Sequence, residues 1–159
     1  MQLAKAMEAH VTGVCSTAKI DLVRSLGADR VLDYTQEDFA DGTERYDLIV
    51  DIGGSSPLSR LRRALGPKAR LVIVGGEGGG NLTGIGRQLR AVALSPFVGQ
   101  RLTMLVSKEN SADLDRLTEY IEVGAVTPSV DRVYSLDQAA DAMQQLANGR
   151  VRGKVAIAI

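Results

Sequence analysis

A repeated change of period is what most constrains this chain. Short, nearly continuous apolar runs alternate with stretches in which apolar residues recur every three or four positions, which is the pattern of strands and amphipathic helices in turn. The chain opens inside a helical stretch, Met1-Gln2-Leu3-Ala4-Lys5-Ala6-Met7, and passes at once into a strand, His10-Val11-Thr12-Gly13-Val14-Cys15. Ile20, Val23 and Leu26 then fall near helical spacing, and Gly27 suits the left-handed residue that ends a helix. Arg30-Val31-Leu32-Asp33 reads as a short strand and Tyr46-Asp47-Leu48-Ile49-Val50-Asp51 as a stronger one. Leu58, Leu61 and Leu65 mark a helix closed by Gly66-Pro67, and Arg70-Leu71-Val72-Ile73-Val74 is the next buried strand. Beyond a glycine-rich break, residues 87–94 read as a helix stopped by Pro96, and Arg101-Leu102-Thr103-Met104-Leu105-Val106 as a strand. Ser111 is placed to cap a helix carrying Leu114, Leu117 and Ile121, with Gly124 at its end. Residues 130–134 are extended. Ser135 and Gln138 have capping-box spacing before a helix with Leu136, Ala139, Ala140, Met143 and Leu146 on one stripe, and Gly149 closes it. Residues 155–159 form a last strand.

Strand and helix in alternation predict an α/β fold with a Rossmann-like, doubly wound parallel sheet, as one partial domain over residues 1–159. The expected sheet is truncated at its N-terminus. In such a fold the opening helix follows a strand and a G-x-G-x-x-G turn whose amides hold a cofactor pyrophosphate, and both are absent from this sequence. In the usual strand order the missing strand lies between those ending at Cys15 and Asp51. Its loss predicts either a gap there or direct pairing of those two strands.

Bulk composition narrows the classes. At 159 residues with 45% hydrophobic content the chain can bury a core, and disorder is not expected. Nineteen Lys and Arg balance nineteen Asp and Glu, so neither a nucleic-acid partner nor a membrane surface is expected. No run approaches the roughly 20 apolar residues of a membrane span. One cysteine rules out an internal disulfide and fits a reducing compartment, so a cytoplasmic location is expected. Cys15 and His10 are the only soft metal ligands, too few for a zinc site, and no metal is expected. Arg60, Arg62 and Arg63 read as a solvated helix face.

In open α/β sheets ligands bind beyond the carboxyl ends of the strands, and three such ends stand out. The first is Cys15-Ser16-Thr17-Ala18-Lys19. Domains that prefer NAD usually end this strand in Asp or Glu, which accepts hydrogen bonds from the adenosine ribose. Here Cys15 takes that place, so no carboxylate repels a 2′-phosphate, and Lys19 would attract one. The competing reading is a Ser/Thr helix cap with a solvated lysine. The second end, Asp51-Ile52-Gly53-Gly54-Ser55-Ser56-Pro57, either brings backbone close to a ligand or forms an ordinary turn, and it faintly echoes the acidic-then-glycine loop of S-adenosylmethionine-dependent methyltransferases. The third, Val74-Gly75-Gly76-Glu77-Gly78-Gly79-Gly80, looks like a phosphate loop, but no glycine in it begins an exact G-x-G-x-x-G and no Gly-Lys-Ser/Thr follows. It reads as a surface loop or as a wall beside a bound ring. No nucleophile elbow or triad spacing is present, so no catalytic residue is assigned.

Taken in order, Gly13-Val14-Cys15-Ser16-Thr17, Leu26-Gly27-Ala28-Asp29-Arg30-Val31-Leu32-Asp33-Tyr34, Tyr46-Asp47-Leu48-Ile49-Val50-Asp51, Leu71-Val72-Ile73-Val74-Gly75-Gly76 and Gly153-Lys154-Val155 resemble the medium-chain dehydrogenase/reductase superfamily in its zinc-independent, quinone-oxidoreductase-like branch. The resemblance runs through essentially the whole chain and covers the nucleotide-binding portion of that family. It implies NADP as cofactor and hydride transfer to or from a carbonyl, enone or quinone. Ser16, Thr17, Lys19 and Tyr34 would surround the adenosine 2′-phosphate, Gly53 and Gly54 would lie along the ribose and nicotinamide side, Gly75 and Gly76 would border the nicotinamide, and Lys154 would add a contact. It also implies a GroES-like catalytic domain, which this sequence lacks, so the isolated chain is expected to be inactive. A homodimer through residues 101–106 is expected from the same resemblance, with a small-molecule substrate in the complete enzyme. Ala69 departs from the glycine common at that turn. Substrate identity, and whether Met1 is a natural start, are not written in the sequence. The alternative to a cofactor-binding portion is a non-catalytic remnant that folds and associates only.

Overall fold

The structure is a computed structural model that describes residues 1–53, 56–75, 86–106, 110–149 and 151–159. Its elements follow in the order α1 (Gln2–Ala6), β1 (Thr12–Cys15), a 3₁₀ turn (Thr17–Lys19), α2 (Ile20–Ser25), β2 (Arg30–Asp33), β3 (Tyr46–Asp51), α3 (Leu58–Ala64), β4 (Leu65–Ile73), α4 (Gly86–Leu94), a 3₁₀ turn (Ser95–Phe97), β5 (Arg101–Met104), α5 (Ser111–Glu122), β6 (Val130–Ser135), a 3₁₀ turn (Leu136–Gln138), α6 (Ala139–Ala147) and β7 (Lys154–Ala158). Every strand pair is parallel, so the fold is the expected Rossmann-like α/β type. The chain divides into two compact units, Met1–Glu37 with Asn110–Ile159, and Asp38–Glu109.

In the first unit β1 pairs with β2, in the register Cys15↔Asp33 at the carboxyl ends. Helix α2 lies tightly on this ladder, and a Cβ added at Gly13 would come within 2.4 Å of Val23 Cγ1. Gly27, at φ +89°, ends the helix in the left-handed region open to glycine. The strand starts at Thr12 rather than His10, and Val11 just before it is tied to the start of β2: its carbonyl accepts from the Asp29 and Arg30 amides, and its own amide donates to Asp29 Oδ2 at 2.7 Å. His10 is left exposed, with Nδ1 3.6 Å from Asp29 Oδ2. A second ladder in the same unit pairs β6 with β7. Helix α5 is capped one residue before the expected Ser111: Asn110 Oδ1 accepts from the Ala112 amide at 3.0 Å. The Ser135–Gln138 capping box forms as its spacing predicts, with the Ser135 amide donating to Gln138 Oε1.

The second unit holds the order β3-β4-β5. Its core is Leu61, Leu65, Ala69, Leu71, Ile73, Ala91 and Leu102, with Ile49, Leu58, Leu94, Val98 and Phe39 packed around it. Ile49, Leu71 and Leu102 form one row across the three strands, facing the side that the helices cover. Strand β4 begins at Leu65, directly after α3, so Gly66-Pro67 falls inside the strand rather than before it. The register jumps from Tyr46↔Leu65 to Leu48↔Arg70, and the proline sits in this irregularity, where its missing N–H breaks no ladder bond. Among the described residues β3 pairs with β4 alone.

Two apolar stripes read from the sequence point outward. Leu114, Leu117 and Ile121 on α5 are exposed, as are Leu136, Met143 and Leu146 around α6, where small Ala142 is the buried residue. No helix among the described residues is long and apolar enough to cross a membrane.

Candidate functional site

The carboxyl end of the β1–β2 ladder gathers four of the residues singled out in the sequence. Ser16 stands at the N-cap position of the 3₁₀ turn but makes no side-chain cap bond, so the helix-cap reading of its hydroxyl does not hold. Lys19 has no ion-pair partner among the described residues. Tyr34 follows β2 directly, its amide tied to Cys15 O at 3.1 Å and its side chain 59% exposed.

Thr17 Oγ1 donates to Asp33 Oδ2 at 2.5 Å and lies 3.3 Å from Thr35 Oγ1. Asp33 is the residue that the sequence reading missed here. The reading found no carboxylate at the end of the Cys15 strand, yet the register sets Asp33 beside Cys15, 5% exposed. Its Oδ1 accepts from the Thr35 amide at 2.9 Å and from Thr35 Oγ1 at 2.7 Å. Hydrogen bonds from Thr17 and then Thr35 hold the Asp33 carboxyl below its ordinary range despite its burial. The Asp33-Tyr34-Thr35 run after a strand was the available signal, since Asp commonly accepts from the backbone two residues on. Burial pushes the Cys15 thiol up, Asp33 pushes it further and Lys19 opposes them, so both charges act at one point.

In the second unit the ends of β3 and β4 close on each other. The Val74 amide donates to Asp51 O at 2.9 Å, and a Cβ at Gly75 would lie 3.0 Å from Ile52 O. A Cβ at Gly53 would meet open space. Arg87, near the start of α4, reaches across this end. It pairs with Asp51, its Nη1 donates to Ser56 O at 2.7 Å and its Nη2 lies 3.5 Å from Gly75 O. With side chains 20% and 13% exposed, Arg87 and Asp51 form a part-buried pair that ties three backbone segments together. Asp51 opens the second strand end singled out in the sequence, though not for this pairing; Arg87 directly follows the glycine-rich break, where only its helix was legible. Gly54 and Gly76 lie outside the described residues.

Lys154 opens β7 opposite Val130, and its amide donates to Ser129 O at 2.8 Å. No hydrogen bond or ion pair among the described residues joins it to Ser16, Lys19 or Tyr34. The arginines of α3 are not a plain solvated face. Arg60 pairs with Asp38 at 2.7 Å and stacks 5.0 Å from the Phe39 ring centre, while Arg62 Nε donates to Gln100 Oε1 at 3.1 Å.

A parallel α/β fold with polar groups gathered at strand ends defines a nucleotide-binding class of domain. Within it, a zinc-binding dehydrogenase family model matches residues 26–157, and the chain belongs to that family. It is 35% identical over 161 residues to a 2-methylene-furan-3-one reductase of Solanum lycopersicum, covering 99% of this chain and 36% of that protein. It is 34% identical to a chloroplastic NADPH-dependent alkenal/one oxidoreductase of Arabidopsis thaliana, with the same coverage. The fold matches a quinone oxidoreductase from Coxiella burnetii with a TM-score of 0.80 at 22% identity, over 99% of this chain and 47% of that one. The chain thus spans less than half the length of each. Although the family description names zinc, the described residues contain no group of three His, Cys, Asp or Glu that could hold a metal ion, and no step is derived through one.

Proposed function

We propose that this chain is the cofactor-holding portion of an NADP-dependent oxidoreductase acting on a carbonyl, enone or quinone. The observation that carries this reading is the β1–β2 strand end, where Cys15 stands in place of an acid and Lys19 carries a cation with no ion-pair partner among the described residues. When bound, a nicotinamide cofactor supplies a hydride, two electrons on one hydrogen, to the substrate carbon. The chain's part is to hold it. Ser16, Lys19 and Tyr34 take the adenosine 2′-phosphate. The names of the two plant relatives support the substrate class, and one of them names NADPH.

The test is binding to the 159-residue chain, followed by amide shifts. NADPH is expected to bind more tightly than NADH. Shifts should centre on Ser16, Lys19 and Tyr34, and Lys19→Ala should abolish the preference. Equal affinity for the two cofactors, or shifts elsewhere only, overturns the reading. The same preparation should show no meaningful NADPH-dependent reduction of quinones or enones.

A further inference from the structure

We infer that Asp33 is a specificity-determining residue for the ribose 2′ position, a fixed negative charge set behind the phosphate site that limits how strongly this chain prefers a 2′-phosphate. The inference rests on the proposed placement of that phosphate at Ser16, Lys19 and Tyr34. Asp33 is joined to this group from both sides. Tyr34 is its chain neighbour, and Thr17, in the turn between Ser16 and Lys19, donates to its carboxylate at 2.5 Å. Asp33 and Lys19 bring opposite unit charges to one strand end, while Ser16, Thr17, Tyr34 and Thr35 bring none near neutral pH. Asp21 and Arg24 on the adjoining helix pair with each other at 3.4 Å, so they offset locally. A dianionic phosphate arriving here meets one cation already opposed by one carboxylate.

Thr17 and Thr35 keep that carboxylate in place. With Thr35 on Oδ1 and Thr17 on Oδ2, the carboxylate is satisfied internally, without a ligand. It therefore stays ionised and buried when a phosphate binds. Removing the Thr17 hydroxyl leaves Oδ2 short of a donor and ready to accept from a ribose 2′-hydroxyl, the choice an NAD-type site makes.

Two ligands that differ only at the 2′ position isolate the effect. Adenosine 2′,5′-bisphosphate and AMP are titrated against the 15N-labelled 159-residue chain, and the ratio of their affinities is the readout. Asp33→Asn should raise the ratio in favour of the bisphosphate roughly three- to tenfold, the scale of one unit charge acting through a partly solvated medium. It should fold, since an amide donates to Thr17 Oγ1 where the carboxylate accepted. Thr17→Val should lower the ratio, and should this variant or Asp33→Asn fail to fold, the other decides alone. A damaged fold weakens both ligands together and leaves the ratio unchanged, whereas a specificity role moves it. A ratio unchanged by Asp33→Asn and Thr17→Val, while Lys19→Ala still lowers it, overturns the inference and leaves the proposed function standing. A wild-type ratio of one, with no shift at Ser16, Lys19 or Tyr34, overturns the proposed function and this inference with it.

Discussion

Asp29, Asp33 and Asp38 share a physical situation: each carboxylate is held by hydrogen bonds that only its charged form accepts fully. Asp29 takes them from Lys5 and the Val11 amide, Asp33 from Thr17 and Thr35, and Asp38 from the Ala40 amide and Arg60. All three therefore lie below the ordinary carboxylate value of 3.8 in the folded chain. A group with a lowered native pKa binds protons more readily when unfolded. Its contribution is complete above the ordinary value and is lost as pH falls through the native one. The urea midpoint should accordingly be flat from neutral pH down to about pH 5 and fall steeply below about pH 4. Asp29→Asn should lower the neutral-pH midpoint and flatten the acid slope. A midpoint that changes mainly between pH 6 and 8 would show that these carboxylates do not govern acid stability. Of these three only Asp29 and Asp33 lay inside a stretch recognised from the sequence; the Asp33 role had a local signal in its Thr35 two residues on, and the Asp29 role had none. Hydrogen bonds such as Lys5 to Asp29, 24 positions apart, are set by tertiary packing and leave no local pattern.

Elements were far more legible than residues, for a reason visible at their ends. Gly27, Gly124 and Gly149 were each expected to close a helix, and each adopts positive φ after one. The apolar runs of β1 to β5 were legible because parallel strands carry their signal in a few adjacent residues. Errors fell where a partner decides the boundary. Asn110 rather than Ser111 caps α5, and β1 starts only after Val11, whose amide is taken by the Asp29 side chain. Burial was the least legible property. Periodicity marks which face of α5 or α6 is apolar, but not whether anything covers it. Gly153 tests an element junction that periodicity does not reveal. It sits at φ +115°, and a Cβ there would lie 2.6 Å from Ser129 O, beside the Lys154 amide bond that starts the β6–β7 ladder. Both the backbone conformation and the contact resist a side chain. Gly153→Ala should cost about 1–3 kcal/mol and speed amide exchange along Lys154–Ala158, measured by denaturation and hydrogen exchange. Unchanged stability and protection would show that the junction tolerates a side chain.

For the whole molecule the open question is what borders β5. We propose that two copies associate through residues 101–106, and the details of this strand narrow the contact. β5 pairs with β4 alone among the described residues, and the Leu105 amide continues that ladder to Ile73 O at 2.9 Å. Amides alternate in direction along a strand, so those of Leu102, Met104 and Val106 point the other way. The Leu102 amide is already taken, donating to Ser95 Oγ at 3.0 Å. That leaves Met104 and Val106 as the outward donors, and both side chains are exposed, as is Leu105 between them. Beyond the exposed Arg101 at its start the segment is mostly apolar, and an open edge of this kind invites strand pairing. The 159-residue chain should therefore run as a dimer or larger species in light scattering. Amide exchange at Met104 and Val106 should slow as concentration rises, while Leu102 stays protected throughout by Ser95. Val106→Lys, at an exposed position outside the core, should shift the population toward monomer while leaving the circular dichroism spectrum unchanged. A clean monomer at high concentration, with Met104 and Val106 exchanging freely, would show that the edge does not pair.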